Sequence, residues 1–345
     1  MRVLILGIDG YIGRALSTHL TSIGYDVTGI DNYSRRNLAK SLVPLADHKQ
    51  SVQNSSIKDL TELPEVDAII HLAEQPSASF SMMDRESAIR TQEENVLGTL
   101  NLLWLMRKHC PNAHLIKLGS MGEYGTPNCP IPEGFIEDGE MEGLMFPRTP
   151  HSFYHLSKVF DSMNIDFACR VWGLRSTDVM QGIVFGHDPA TRFDYDEHFG
   201  TVINRFCVQA AAGVPLTVYG SGEQTRGFLP LKDSVECLTL ALRNPPSAGE
   251  YRVFNQFAET YTLIELAERI KRLGSGLGIE VEIQHIENPR KENESHIYIP
   301  KHDKLKVLGY TPKWDLDEEL NKILMLAIQY KSNIDTSIIH PKTVW

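Results

Sequence analysis

Short apolar runs alternate with longer stretches of helical periodicity through the first 125 residues. Arg2-Val3-Leu4-Ile5-Leu6 stops at Gly7, and apolar residues over 12–23 then recur on one face of a helix. Residues 25–30 form a second apolar run ending at Asp31. Residues 67–72 and 114–118 form two more, with a helix predicted between them through residues 95–103. Strands that are apolar on both faces and separated by helices predict an α/β fold, a doubly wound parallel sheet with helices on both sides.

Beyond residue 180 the pattern loosens. Residues 186–200 are polar and acidic and read as a loop, 204–213 as a helix, and 216–219 as a strand. An amphipathic helix is predicted over 263–273, a charged loop over 288–293 and a late helix over 316–330. The expected organisation is a first domain over residues 1–180 and a smaller C-terminal substrate-binding lobe over 181–345. Segments near 215–245 are expected to return to the first domain.

Composition narrows the function. The chain has 345 residues, 42% of them hydrophobic, with 44 acidic against 34 basic side chains and a net charge of −10. That balance, without a long basic run, argues against nucleic acid as a partner. No stretch approaches 18 uncharged apolar residues and a strand pattern starts at residue 2, which argues against a membrane span or a targeting peptide. The five cysteines are scattered, without CxxC or Cys/His spacing, so no metal site is expected. Reduced thiols in a cytoplasmic protein are the expectation.

Gly7-Ile8-Asp9-Gly10-Tyr11-Ile12-Gly13 is a GxxGxxG loop between the first strand and the first helix. Glycines there permit a tight turn, close backbone approach to a pyrophosphate and close helix–strand packing. Asp31 ends the second strand about 20 residues on, where a carboxylate binds both ribose hydroxyls of NAD and repels the extra phosphate of NADP. Arg35 and Arg36 follow and pull the other way. The expected architecture is therefore a Rossmann-type domain holding NAD. Farther along, Tyr154-His155-Leu156-Ser157-Lys158 puts Tyr154 and Lys158 on one helix face. A neighbouring ammonium lowers a phenol pKa from about 10, and a phenolate can take the proton of a substrate hydroxyl while a hydride leaves for NAD. Ser120 ends a strand at the carboxyl edge of the sheet, where it can hydrogen-bond the reacting hydroxyl.

This Ser–Tyr–Lys set with the glycine loop resembles the short-chain dehydrogenase/reductase superfamily. Asn95 followed by Gly98-Thr99-Leu100-Asn101-Leu102, and Ser120 four residues before Tyr124-Gly125, are similar to its extended, nucleotide-sugar epimerase/dehydratase branch. Within that branch the chain looks like the UDP-sulfoquinovose synthase family. The carrying segments are residues 120–128, 152–158, 204–211, Gln224-Thr225-Arg226-Gly227, 252–257 and Asn288-Pro289-Arg290.

The resemblance implies a cycle in which NAD oxidises C4 of a nucleotide-bound hexose, the C5 hydrogen and C6 hydroxyl are lost, sulfite adds at C6, and the hydride returns. Tyr154 is then the base, Ser120 its hydrogen-bond partner and Lys158 the modulator. His155 and Glu123 are candidates for the C5/C6 proton transfers. The implied NAD-binding residues are Gly7, Asp9, Gly10, Tyr11, Ile12, Gly13, Asp31, Asn32, Arg36, Leu72, Asn95, Tyr154, Lys158 and Gln181. Met121 is expected beside Gln181 at the nicotinamide and, with Gln75, Asn204, Gln224, Arg226 and Arg290, on the substrate side. A homodimer packed through the Tyr154 and Asn95 helices is also implied.

The chain departs from these patterns at informative places. Sugar 4,6-dehydratases of the branch carry an Asp-Glu pair after the catalytic threonine, where this chain has Met121 and Gly122. The family's arginine for the sulfur nucleophile follows a Glu-Gln pair, and here Glu74-Gln75 is followed by Pro76. Proline offers neither charge nor backbone donor. Ser120 replaces the family threonine, and Ser56 stands where an adenine-contacting Asp is common. An NDP-hexose 5,6-dehydratase without sulfite addition, a 4-epimerase, and a catalytically inactive sugar-nucleotide sensor are the alternatives.

Overall fold

The computed structural model describes residues 1–288 and 298–345. Seven strands form the main sheet: β1 (Arg2–Leu6), β2 (Asp26–Asp31), β3 (Ser51–Asn54), β4 (Ala68–His71), β5 (His114–Ser120), β6 (Arg175–Gln181) and β7 (Tyr251–Gln256). They lie in the order β7-β6-β5-β4-β1-β2-β3, and every neighbouring pair is parallel. Alternate residues of the central strands feed two separate cores. Leu4, Leu6, Ile69 and Leu115 pack with Leu102, Leu103 and Met106 of the Gly98–His109 helix and with Ile165 and Ala168 of the Phe153–Trp172 helix. Val3, Ile5, Ile70 and Ile116 pack on the other face with Leu16 and Leu20 of α1 (Tyr11–Ser22) and Val235, Leu238 and Leu242 of the Leu231–Arg243 helix. Each side chain so buried contributes roughly 1.5–3 kcal/mol, so the strands are apolar on both faces because both faces are covered.

The strand order places β1 between β2 and β4, so the connections leave it in opposite directions and open a crevice at its carboxyl end. α1 starts there, with Gly10 as its N-cap and no side chain capping it. Its first N–H groups are thus left for a ligand.

A third core is built around Phe185, Phe193, Tyr195, Phe206 and Phe228, under the Val202–Ala212, Leu263–Gly276 and Leu316–Gln329 helices. Ile183–Phe185, Thr225–Pro230 and Glu259–Thr262 form a three-stranded sheet in this lobe. The segments that return to the large sheet are the Leu231–Arg243 helix and β7, whereas Leu216–Tyr219 stays in the lobe and pairs with Ile283–Ile286. The polar stretch 186–200, expected as a loop, is largely interior. Thr191, Arg192, Asp194 and Asp196 are all buried. Asp194 accepts hydrogen bonds from Arg192 Nε (2.7 Å) and from Arg35 Nε (2.8 Å), 159 residues away, and this pairing lets charged residues leave water. Of the expected charged loop, only Asn288 lies within the described residues.

Candidate active site

A cleft of about 500 Å³ runs from the β1–α1 turn across the ends of β4 and β5 to the second lobe. At its nucleotide end the backbone geometry demands glycine. Gly7 has φ +80°, and a Cβ on it would lie 2.6 Å from the Leu72 backbone. A Cβ on Gly13 would lie 2.2 Å from the Gly7 carbonyl oxygen. Tyr11, Ile12, Asp31, Asn32 and Leu72 also line this end. Asp31 accepts the Asp9 N–H (2.8 Å) and the Tyr33 N–H (2.7 Å), which fixes its carboxylate at the crevice.

Asp9 and Arg36 are not on the cleft wall. Asp9 turns inward to Arg14 (2.6 Å), Arg36 (2.7 Å) and His48 (2.9 Å). Burial opposes its charge, but hydrogen bonds from Arg36 and His48 and the Arg14 charge hold its pKa far below the usual carboxylate range. Arg35 pairs with Asp194 and lies over the Phe199 ring, 4.5 Å from its centroid. Both arginines that would favour NADP are therefore committed to carboxylates.

At the other end, Ser120, Tyr154, His155 and Lys158 converge on the cleft with Met121, Gln75 and Gln181. Ser120 closes β5 and caps the following turn, accepting the Gly122 N–H at 3.1 Å. Ser152 caps the Phe153–Trp172 helix, which presents Tyr154, His155 and Lys158 in its first two turns. Ser152 Oγ is 2.9 Å from His155 Nδ1, and the His155 and Tyr154 rings lie 4.7 Å apart. The His155 imidazole fills the space over Gly122, where an added Cβ would meet Nε2 at 2.2 Å.

Several expected residues act from behind the wall. Asn95 is fully buried in a wide helical turn, Glu93–Leu97. Its amide exchanges hydrogen bonds with the Gln75 backbone (2.7 and 3.2 Å) and donates to Ser157 Oγ (2.8 Å), tying the exit of β4 to the Phe153–Trp172 helix. Glu123 is also fully buried. It accepts from the Ser120 N–H (3.0 Å), Ser162 Oγ (3.1 Å), Lys117 Nζ (3.3 Å) and Arg148, so it braces Ser120 and does not reach the cleft. Asn204 accepts the Gly186 N–H (3.0 Å), and Gln224 donates to the Tyr219 carbonyl (3.1 Å); neither lines the cleft. Arg226 does line it, and Arg290 lies outside the described residues.

Comparisons with known proteins give the family and the fold. The model of the NAD dependent epimerase/dehydratase family matches residues 3–255. The chain belongs to that family. It is 44% identical to the chloroplastic UDP-sulfoquinovose synthase of Spinacia oleracea, over all of this chain and 79% of that one. It is 40% identical to the UDP-sulfoquinovose synthase of Sulfolobus acidocaldarius, over all of this chain and 98% of that one. The fold is similar to a UDP-glucose 4-epimerase from Thermotoga maritima, with a TM-score of 0.75 and 24% identity over 96% of this chain and 99% of that one.

As a member of this family the chain is an NAD-dependent enzyme, and its residues fit the cofactor. The Gly7 and Gly13 backbones leave no room for side chains, the first turn of α1 is uncapped, and Asp31 lines the cleft at the end of β2. Sequence reasoning missed one group next to the chemistry. Glu74, at the exit of β4, lines the cleft and pairs with Lys158 Nζ at 2.7 Å, while Lys158 also donates to the Leu118 carbonyl. Burial, with the nearby carboxylates, offsets the lowering expected for Tyr154. Burial raises the phenol above its ordinary pKa of 10.0; Lys158 pulls it down, but the Glu74 and Glu123 carboxylates push it back up. The net shift is upward. A Glu-Gln pair at the end of an apolar strand was visible in the sequence, but not which lysine it would meet.

Proposed function

We propose that the protein oxidises C4 of a UDP-hexose, eliminates across C5 and C6 and adds sulfite at C6, acting as a UDP-sulfoquinovose synthase on UDP-glucose. Tyr154 accepts the C4 hydroxyl proton, Ser120 hydrogen-bonds the same oxygen, and Lys158 holds its charge beside them. NAD, when bound in the cleft, would supply a reversible hydride acceptor. The C4 ketone acidifies the C5 hydrogen; His155 takes that proton and returns it to the departing C6 hydroxyl, which leaves as water. The sulfite sulfur then supplies the electron pair for the C6–S bond, and C5 is reprotonated before C4 is reduced again.

The observation that carries this reading is His155 over Gly122. An epimerase needs no proton carrier for C5, and here an imidazole held by Ser152 occupies the volume from which a side chain at 122 would project. Glu123 is not assigned to this step because its carboxylate is enclosed by Lys117, Arg148 and Ser162. A second reading, elimination without sulfite, is favoured by Pro76, which lines the cleft without charge. Incubation with UDP-glucose in heavy water, with and without sulfite, separates them by mass spectrometry and proton NMR. A sulfonated product formed only with sulfite supports the synthase. Deuterium at C5 or a dehydrated product indifferent to sulfite leaves the elimination alone, and inversion at C4 without exchange overturns both.

We also propose a homodimer. Phe153, Phe160, Met163, Phe167 and Val171 form an exposed stripe along one helix, next to exposed Leu97, Leu100 and Trp104. Such a continuous apolar face suits a second copy of the chain. Five free cysteines suit a reducing, cytoplasmic setting.

A further inference from the structure

The Glu74–Lys158 pair lies where the reacting proton is handled, and neither partner is solvated. Side-chain exposures are 2% for Glu74 and 5% for Lys158, with Nζ 2.7 Å from Oε2. The lysine Nζ is also 5.9 Å from the centre of the Tyr154 ring. The pair comes from two elements that meet only in the fold: Glu74 follows β4, and Lys158 sits two turns into the Phe153–Trp172 helix. An ammonium that acts on a phenol through its charge does so less when a carboxylate lies against it. We propose that Glu74 is a positioning residue that fixes the Lys158 ammonium against the Leu118 carbonyl and cancels part of its field, thereby setting the pH at which Tyr154 acts as a base. This rests on the reading of Tyr154 as the proton acceptor and is independent of sulfite.

The surroundings leave Glu74 as the group able to do this. From β4, His71 Nε2 is 3.6 Å from Glu74 Oε1; burial lowers its pKa to about 4, so it is neutral near pH 7. From β5, Lys117 is held by Ser162, the Lys158 carbonyl, Asp178 and Glu123. From the Phe153–Trp172 helix, Asp161 is fully buried, and burial with the nearby Glu74 charge drives its pKa well above the usual carboxylate range. Glu123 is enclosed by Arg148 and Lys117. Among the described residues, Glu74 is the carboxylate that forms an ion pair with the Lys158 ammonium.

The test is a tyrosinate titration by ultraviolet difference absorbance on the purified enzyme with its bound NAD, using Tyr154→Phe as the blank. Glu74→Gln should move the Tyr154 titration, and with it the acid limb of kcat/KM, down by about one pH unit. Glu74→Asp, which keeps the charge but lengthens the pair, should move both in the same direction by less, and remains informative if the Gln variant does not fold. An unmoved or raised titration in either variant overturns the proposal. If Tyr154→Phe keeps full turnover, the underlying reading fails instead, so the two failures are distinct.

Discussion

Two carboxylates flank the cleft from below, Asp9 at the nucleotide end and Glu123 beneath Ser120, and both are held by basic groups. They differ in their access to water. Asp9 meets Arg14 and His48 inside the protein, but also Arg36, whose side chain is 43% exposed. Glu123 meets Lys117 and Arg148 with every side chain at 3% exposure or less. The first cluster ties the glycine loop to the segment after β2 and can exchange partners with solvent. The second is a sealed ionic core under Ser120. Three cations (Lys117, Arg148, Lys158) pair there with three anions (Glu74, Glu123, Asp178), so removing any one of the six leaves a buried partner short.

The largest expected effect therefore comes from the sealed cluster. Glu123→Ala leaves two buried cations short of a partner and should cost about 3–5 kcal/mol in denaturant unfolding. A cost below about 1 kcal/mol would mean that water enters and that the two clusters do not differ. The next effect is a pH dependence. Burial depresses the His71 imidazole to about 4, so its protonation is resisted by the fold and accepted by the unfolded chain. Its contribution is complete above the unfolded value of about 6.5 and is lost as pH falls towards about 4, on the order of 3 kcal/mol. Asp9 is depressed too, but from the carboxylate range, so its contribution is lost only below about pH 4. The catalytic end should thus loosen first on acidification, and His71→Gln should flatten stability between about pH 6.5 and 4. The smallest effect is expected at the open cluster. Arg36→Ala should cost no more than about 1 kcal/mol and less in high salt. Retention of NAD, measured alongside, would show whether the loop keeps its shape.

What the sequence made legible was what lies close along the chain. The GxxGxxG loop needs only seven residues, and Tyr154 and Lys158 are one helical turn apart, so spacing alone predicts a shared face. Asp31 was readable because a strand end is a fixed distance from the loop in a βαβ unit. Glu74, Lys117, Arg148 and Asp178 were not readable as a unit, because each comes from a different element and their charges meet only through tertiary packing. The same cause hid the burial of residues 186–200. Their polarity looked like solvent exposure until Arg35, from the other end of the chain, supplied the countercharge for Asp194. Asn95 was expected at the cofactor but bonds to Gln75 and Ser157, a role visible only once β4 and the catalytic helix are side by side.

Gly122 and His155 share one volume, which a side chain at 122 could enter only if the His155 ring turned away. The two sites therefore behave as a single locus with two possible occupants, a side chain rising from the turn after β5 or a ring reaching over from the neighbouring helix. A proton carrier can migrate between these backbones without any change in the floor of the cleft. Relatives that place a carboxylate at the first position should carry a smaller group at the second, and this reciprocal exchange offers a two-letter test for sorting uncharted chains of the family.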